Sequence, residues 1–237
     1  MEACGLFVTG TDTDVGKTAV AVAIVRGLLR DGRRPGLRVG VYKPVASGVP
    51  RGDGGSDVVR LWEAAGRPLS IDAVCPQRFQ AMISPPRSAR AEGCRVDDAV
   101  LRSGFETWRH ASDIVVVEGA GGLFSPLGET TLNADLARDL GLPLVVVDAA
   151  RLGAIGRTLA VVRAARGEGL RVAAVVLSQV ENCEESPDDP ESPWAIARDS
   201  ASDLADRIGP IPVTMLGHDA ASIEPDLDWL ALARADN

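Results

Sequence analysis

A short apolar segment near the start of the chain runs into a glycine-containing loop and then into a helix. Gly5–Gly10 has the composition of a buried strand, the loop reads Gly10-Thr-Asp-Thr-Asp-Val-Gly-Lys-Thr18, and Thr18–Leu29 is typical of a helix. A phosphate-binding loop requires this order, because glycines let backbone N–H groups and the helix amino terminus face an anion. Five residues separate Gly10 from Gly16, whereas about four are usual.

The loop predicts which groups hold a nucleotide. We expect Lys17 to bridge the β- and γ-phosphates and the Thr18 hydroxyl to bind Mg²⁺. A glycine-rich turn capped by threonine is the alternative, which the flanking strand and helix disfavour. The candidate nucleotide-binding residues of the loop are Asp14, Val15, Gly16, Lys17, Thr18 and Ala19.

Apolar runs alternate with helical patterns along the chain. Such repeated strand–helix–strand units predict one α/β domain over residues 1–237, with a doubly wound, mostly parallel sheet and helices on both faces. The predicted strands are Gly5–Gly10, Leu37–Lys43, Asp113–Glu118, Leu142–Val147, Leu170–Leu177 and Ile211–Met215. The predicted helices are Thr18–Leu29, Asp97–Ala111, Asn133–Leu140, Ile155–Glu168 and Trp194–Ile208. Loops are predicted at Ala46–Ser56 and Glu181–Pro193.

Composition narrows the range of partners. The net charge is -8 and no basic patch stands out, so neither nucleic acid nor a membrane surface is an expected partner. The four cysteines are scattered without a CxxC pair, which disfavours a disulfide framework or a zinc site. No signal peptide or bilayer-spanning run is recognisable, so we expect a cytoplasmic protein with reduced thiols.

Further segments follow the loop in a fixed order. They are Lys43-Pro-Val-Ala-Ser-Gly48, then Ser56-Asp57, then Val117-Glu118-Gly-Ala-Gly-Gly122, continued by Pro126-Leu127 and Ala134-Asp-Leu-Ala137. Together with the phosphate loop, they resemble the dethiobiotin synthetases, a family of ATP-dependent P-loop enzymes. The phosphate loop and the VEGAGG segment also occur in related amide-forming synthases, whereas KPVASG is the specific part of the resemblance.

This resemblance implies a reaction. The family converts 7,8-diaminopelargonic acid, CO₂ (or bicarbonate) and MgATP into dethiobiotin, ADP and phosphate, through a carbamate and a carbamic-phosphate intermediate. The implied catalytic residues are Lys17, Lys43, Thr13 and Ser47.

The charges of this reaction fit those residues. A carbamate anion that attacks a phosphoryl anion at ~4 Å meets a repulsion of about 4 kcal/mol at an effective dielectric of about 20, so cations must be in place beforehand. Lys17 and Lys43 are candidates for those cations, and Ser47 can donate to a carbamate or phosphate oxygen. The acidic residues Asp57 and Glu118 need Mg²⁺ to lie near a polyphosphate, so we expect Thr18, Asp57 and Glu118 to share one Mg²⁺.

The resemblance also implies a second substrate-binding element and a homodimer. In the family, a helix amino terminus receives the substrate carboxylate across the dimer interface, and the matching residues are Gly153, Ala154, Ile155 and Gly156. Thr13, Lys43 and Ser47 complete the implied substrate site. The base is expected to contact Ser178 and Gln179.

Three positions depart from the family pattern. Pro86 stands where the family usually has a histidine, and Gly156-Arg157 stands where it commonly has an Asn–His pair. Arg157 can reinforce the helix amino terminus toward a carboxylate. Ser178-Gln179 replaces the Asn–Asp pair tied to base recognition, which predicts weak selection for adenine.

Two other functions share the phosphate loop. A related P-loop synthase that activates a carboxylate would need Glu118 but not KPVASG. A nucleotide-switched binding ATPase of the partition type usually carries a second lysine early in the loop, and Thr11–Asp14 contains none.

Overall fold

The computed structural model describes residues 4–32, 34–50, 56–182 and 192–234. Strands in these ranges are β1 (Gly5–Gly10), β2 (Val39–Tyr42), β3 (Val45–Ala46), β4 (Gln77–Arg78), β5 (Ile114–Gly122), β6 (Leu144–Ala149), β7 (Val172–Ser178) and β8 (Val213–Leu216). Helices are α1 (Lys17–Arg30), α2 (Ser56–Ala64), α3 (Ile71–Val74), α4 (Pro85–Ala91), α5 (Asp98–Ala111), α6 (Asn133–Leu140), α7 (Ala154–Gly167), α8 (Pro193–Ile208) and α9 (Trp229–Ala233).

The main sheet has six strands in the order β2-β5-β1-β6-β7-β8, and every described pair is parallel. Every residue of β1, β2, β6 and β7 is buried. Helices flank the sheet: α1 packs against α2 and α9, α5 against α6, and α7 against α8. The predicted α/β fold with a parallel sheet is therefore confirmed, and the valine-rich strands are explained by burial on both faces.

The strand order places the site. β1 lies between β5 and β6, so the chain leaves β1 toward one side of the sheet and later returns to the other side. Loops at the carboxyl ends of strands diverge at such a switch point, which leaves a crevice for ligands. The phosphate loop follows β1 at this point.

The structure corrects some of the predicted boundaries. β5 continues beyond Glu118 to Gly122, which pairs with Gly10 after a register shift, so Glu118 lies inside the strand rather than at its end. Ala46, predicted in a loop, belongs to the short β3–β4 sheet. Ser56 begins α2, while residues 51–55 and 183–191 of the predicted loops, with Cys183, lie outside the described residues.

Short elements account for most of what the patterns did not predict. The helices α3, α4 and α9 have four, seven and five residues, too few for a helical period to repeat. No helix in the described ranges has the length and apolar character needed to cross a bilayer.

A buried asparagine holds the glycine-rich end of β5. Asn133, fully buried at the start of α6, donates from Nδ2 to the carbonyls of Ala120, Gly122 and Ser125 at 2.9, 2.8 and 3.0 Å. Its Oδ1 accepts from the Ala120 N–H at 3.2 Å. One side chain thus fixes the turn beyond Glu118.

Replacing this side chain should destabilise the fold. Asn133→Ala is expected to lower the free energy of unfolding by about 2–4 kcal/mol, because it strands buried backbone groups without partners. Urea unfolding followed by circular dichroism measures the loss. The same change at the exposed Asn182 is the control. Equal urea midpoints for the two variants would contradict a stabilising role of Asn133.

Candidate active site

The phosphate loop curls around the Lys17 ammonium. Lys17 Nζ donates to the Asp12 carbonyl at 2.8 Å, and only 8% of the residue is exposed. A methyl group at Gly10 would lie 2.5 Å from that carbonyl and 3.1 Å from Nζ, so only glycine fits there. Thr13 and Asp14 are exposed at the tip, whereas Val15 is buried and anchors the loop. The longer loop therefore keeps the lysine at its centre.

The last turn of the loop rests on the end of β7. Gly16 has a φ of 91°, and a side chain there would overlap the Ser178 hydroxyl. Ser178 is 1% exposed. The neighbouring Gln179 accepts from the His218 N–H at 3.2 Å through Oε1. Ser178 thus lies beneath the loop, and Gln179 beside it.

A buried carboxylate lies at the centre of a cluster that joins four segments of the chain around the loop. Glu118 is 1% exposed, and its Oε1 accepts from Thr18 Oγ1 at 2.8 Å and from Lys43 Nζ at 2.7 Å. Lys43 Nζ also donates to Asp57 Oδ2 at 2.8 Å. Residues from α1, β5, α2 and the segment after β2 meet here. The structure thus brings together Lys17, Thr18, Lys43, Asp57 and Glu118, which lie far apart in the sequence.

The charged groups in this cluster shift one another's pKa values. Burial lowers the pKa of Lys17, the nearby Lys43 charge adds to the effect, and Glu118 opposes it. Burial alone would also lower the pKa of Lys43, but the Glu118 and Asp57 carboxylates outweigh it and hold the pKa above its ordinary range. Burial alone would raise the pKa of Asp57, which Lys43 instead holds below its usual value. Lys43 therefore carries its full charge at neutral pH.

One oxygen of the cluster lacks a partner in the structure. Glu118 Oε2 is buried and has no hydrogen-bond donor among the described residues, although its neighbour Oε1 has two. A buried carboxylate oxygen without a donor fits a cation ligand. Among the described residues no three acidic, histidine or cysteine side chains cluster as a metal site. Mg²⁺ beside a nucleotide needs only one or two carboxylates, because phosphate oxygens and water supply the rest.

Three other candidate residues lie on the loop, on β3's end and on α1. Thr13 Oγ1 lies 3.7 Å from where a methyl at Gly121 would be, so the loop tip faces the glycine-rich end of β5. Ser47 follows β3 and is half-buried, as is Ala19 in the first turn of α1.

The predicted carboxylate-binding turn begins α7. Gly153 is the N-cap with a φ of 90°, and Ala154, Ile155 and Gly156 form the first turn. Arg157 turns inward: Nε donates to both oxygens of Asp148 at 3.1 and 3.2 Å, and its outer nitrogens donate to the Leu152 and Ala149 carbonyls. Arg157 therefore forms an ion pair with Asp148 in the structure.

Asp148 and Asn133 are the polar residues that sequence reasoning missed. Asp148 is fully buried at the end of β6, and an acid directly after a run of valines was the available signal. Asn133 carried no signal beyond its place at the start of a predicted helix.

Comparison with known proteins identifies relatives of this arrangement. Residues 4–217 match a family model described as an AAA domain. The ATP-dependent dethiobiotin synthetase BioD of Rhodopirellula baltica is 45% identical over 190 residues, 74% of this chain and 73% of the relative. The protein of the same name from Anaeromyxobacter sp. (strain Fw109-5) is 39% identical over 214 residues, 90% of each chain.

A solved structure shares the fold. A ParA family ATPase from Chlorobium tepidum superposes with a TM-score of 0.50 and 12% identity, over 92% of this chain and 86% of that one. At this identity the likeness concerns the fold alone.

The buried ion pair is open to a stability test. Lys43→Met should lower the free energy of unfolding by about 3–5 kcal/mol, because it leaves the buried Glu118 charge without its cation. Combining it with Glu118→Gln should cost less than the sum of the two single changes. Urea unfolding of all four proteins without ligands gives the coupling.

The control is a double-mutant cycle at the exposed pair Arg38–Asp113, where Arg38→Met and Asp113→Asn should give nearly additive losses, because solvent screens an exposed pair. Additive losses at Lys43 and Glu118 would show that the two side chains are not paired in solution.

Proposed function

The chain belongs to the family of ATP-dependent dethiobiotin synthetases, and we propose that it forms dethiobiotin from 7,8-diaminopelargonic acid, CO₂ and ATP. The observation that carries the proposal is the buried cluster in which Lys17 and Lys43 flank Glu118 beside the phosphate loop. Relatives with this name are 38–45% identical over most of the chain. The activity is that of an ATP-dependent ligase that forms C–N bonds.

The proposed reaction has three steps. One substrate amine adds to CO₂ and loses a proton, which forms a carbamate. A carbamate oxygen then takes the γ-phosphoryl group of ATP and releases ADP. Finally the second amine attacks the carbonyl carbon, phosphate departs, a proton is released, and the cyclic urea is closed.

The second step sets the electrostatic demand on the protein, because two anions must approach. Lys17 lies inside the phosphate loop, where it can neutralise the β- and γ-phosphates. Lys43 donates to Glu118 at 2.7 Å, and the neighbouring carboxylates hold its charge. We assign Lys43 to the carbamate and the transferred phosphoryl group, with Ser47 and Thr13 as hydroxyl donors at the edge of the same site.

Mg²⁺ fits the oxygen ligands of this cluster. We propose that Thr18, Asp57 and Glu118 hold it, with Glu118 Oε2 as the oxygen that has no other donor. When bound, it neutralises phosphate charge and helps to orient the triphosphate. The positive charge of Lys43 partly neutralises the same two carboxylates.

The second substrate end and the assembly form part of the proposal. We assign the diaminopelargonate carboxylate to the backbone N–H groups of Gly153–Gly156, where the helix dipole favours an anion. We also propose a homodimer that brings this turn to the phosphate loop of the partner. Large apolar side chains exposed at the surface support a partner: Leu152 beside this turn at 85%, Phe124 after β5 at 49%, and Met82 beside Gly48 at 89%.

The alternatives have less support. A partition-type ATPase shares the fold, but the loop segment Thr11–Asp14 contains no lysine. If the protein were a different amide-forming synthase, its reaction would have no carbamate for Lys43 to stabilise. Pro86 is the second residue of α4, where its ring fixes φ at a value compatible with the start of a helix.

Product analysis tests the proposal directly. ATP hydrolysis should be negligible with the protein alone and should rise when diaminopelargonate and bicarbonate are both present, with dethiobiotin detected by mass spectrometry. ADP without a cyclic urea would sink the assignment. Lys43→Gln should lower kcat by about 10²–10³ because it removes a charge that stabilises the transition state. Arg38→Gln removes an exposed cation and is the control.

The metal ligands are tested by metal dependence. Glu118→Gln should shift the Mg²⁺ titration of activity to higher concentration, and it should weaken Mn²⁺ binding to the ADP complex as measured by electron paramagnetic resonance. Asp113→Asn, at the opposite end of β5, should leave both unchanged. Identical titrations for Glu118→Gln and the parent would exclude Glu118 as a ligand.

Base selection should be weak. Phosphates and Mg²⁺ do not read the base, Ser178 packs beneath Gly16, and Gln179 already accepts from His218. One neutral hydrogen bond is worth ~0.5–1.5 kcal/mol, roughly tenfold or less in affinity. GTP or CTP should therefore support the reaction at a substantial fraction of the ATP rate. The measurement is kcat/KM for the three nucleotides at equal Mg²⁺, and a preference for ATP of several hundredfold would overturn it.

A further inference from the structure

Asp148 is a fully buried carboxylate that none of the proposed steps uses. It is the penultimate residue of β6, which pairs with β1 ahead of the phosphate loop. Thr11 Oγ1 donates to Asp148 Oδ1 at 2.5 Å, and the Ala149 N–H donates to the same oxygen at 2.8 Å. The Thr11 N–H donates to the Val147 carbonyl at 2.9 Å. The entry to the phosphate loop is therefore tied to β6 by side chain and backbone.

The same carboxylate holds the start of α7. Arg157 Nε bridges both Asp148 oxygens, and Thr158 Oγ1 donates to Oδ2 at 3.3 Å. The outer nitrogens of Arg157 donate to the Leu152 and Ala149 carbonyls at 3.3 and 3.4 Å. Arg157 Nη1 would lie 3.0 Å from a methyl at Gly153, so the guanidinium lies directly beneath the N-cap.

Two segments of the site thus share one buried anion. Hydrogen bonds to a buried charge are strong, and breaking either side leaves the carboxylate partly unsatisfied. A shift of Thr11 must therefore change the energy of the Arg157 bonds, and a shift of Arg157 must change that of the Thr11 bond. Coupling of this kind is reciprocal, because each ligand changes the affinity for the other by the same factor.

We propose that Asp148 is a positioning residue that couples the phosphate loop, through Thr11, to the first turn of α7, through Arg157. Nucleotide on the loop and an anion at Gly153–Gly156 then strengthen each other's binding. If that turn serves the partner's active site, the coupling runs between subunits. The identity of the anion, the diaminopelargonate carboxylate, rests on the proposed function, whereas the link from Arg157 to nucleotide does not.

The test changes a residue in one segment and measures the affinity for the ligand of the other segment. Arg157→Lys keeps the positive charge but removes the guanidinium group that donates several hydrogen bonds at once. It should weaken the binding of Mg·ADP about fivefold or more, as measured by calorimetry. Thr11→Val should raise the KM for diaminopelargonate by a similar factor. A direct effect, through Thr13 in the same loop or across the proposed dimer interface, is separated from this coupling by the Asp148→Asn background described below, because a direct effect would persist there.

Thr214→Val is the matched control, since Thr214 lies on β8 and its buried hydroxyl donates to the Pro225 carbonyl. It should lower the melting temperature without changing either affinity. Arg157→Lys with an ADP affinity within about twofold of the parent would overturn the proposal. Thr11→Val with an unchanged diaminopelargonate KM would overturn it as well.

A mutant cycle decides whether Asp148 is the link. In an Asp148→Asn background, Arg157→Lys should no longer change ADP affinity; an undiminished effect overturns the role of Asp148. If Asp148→Asn does not fold, the Thr11→Val/Arg157→Lys double mutant decides, because coupled residues give non-additive losses in ADP affinity and independent ones give additive losses. A parent that makes no dethiobiotin contradicts the proposed function, while the ADP measurements still test the coupling.

Discussion

Burial of the Glu118 carboxylate is the constraint on which the site depends. A charge inside a parallel sheet is costly unless cations and donors compensate it. Thr18 and Lys43 do so from two different elements, and Asp57 balances the remaining charge of Lys43. The position of α1 over β5 and the course of the chain after β2 are thus tied to one carboxylate. The same arrangement leaves Oε2 without a donor and two cations beside the phosphate loop.

A second buried carboxylate lies on the other side of β1 from the first. Glu118 lies on β5 and Asp148 on β6, the two neighbours of β1 in the sheet. Thr11 at the start of the loop donates to Asp148, and Thr18 at its end donates to Glu118. The loop is therefore pinned at both ends by hydroxyl–carboxylate hydrogen bonds. Backbone N–H groups held in this way need little reorganisation when they meet a phosphate, which is how such loops combine affinity with rate.

Close packing explains why the loop needs its glycines. Gly10 faces Asp12 and Lys17, and Gly16 faces Ser178. In both places a side chain would displace backbone or a buried group. At the exposed tip of the loop, Asp14 adopts a φ of 55°.

Much of the fold followed from the sequence alone, because valine-rich runs bury both faces of a parallel strand and glycine, lysine and threonine mark a phosphate loop. The long strands and helices were predicted to within a few residues, and α6 at both ends. Lys17, Thr18, Lys43, Asp57 and Glu118 were also recognisable, since each lies in or beside a motif.

Tertiary structure decided the rest. Only the strand order shows that β5 and β6 flank β1, so only it makes Glu118 and Asp148 a pair around the loop. The direction of Arg157 depended on a carboxylate nine residues earlier in the chain. Partners of this kind are chosen by the distances between elements after packing, and local periodicity carries no information about those distances.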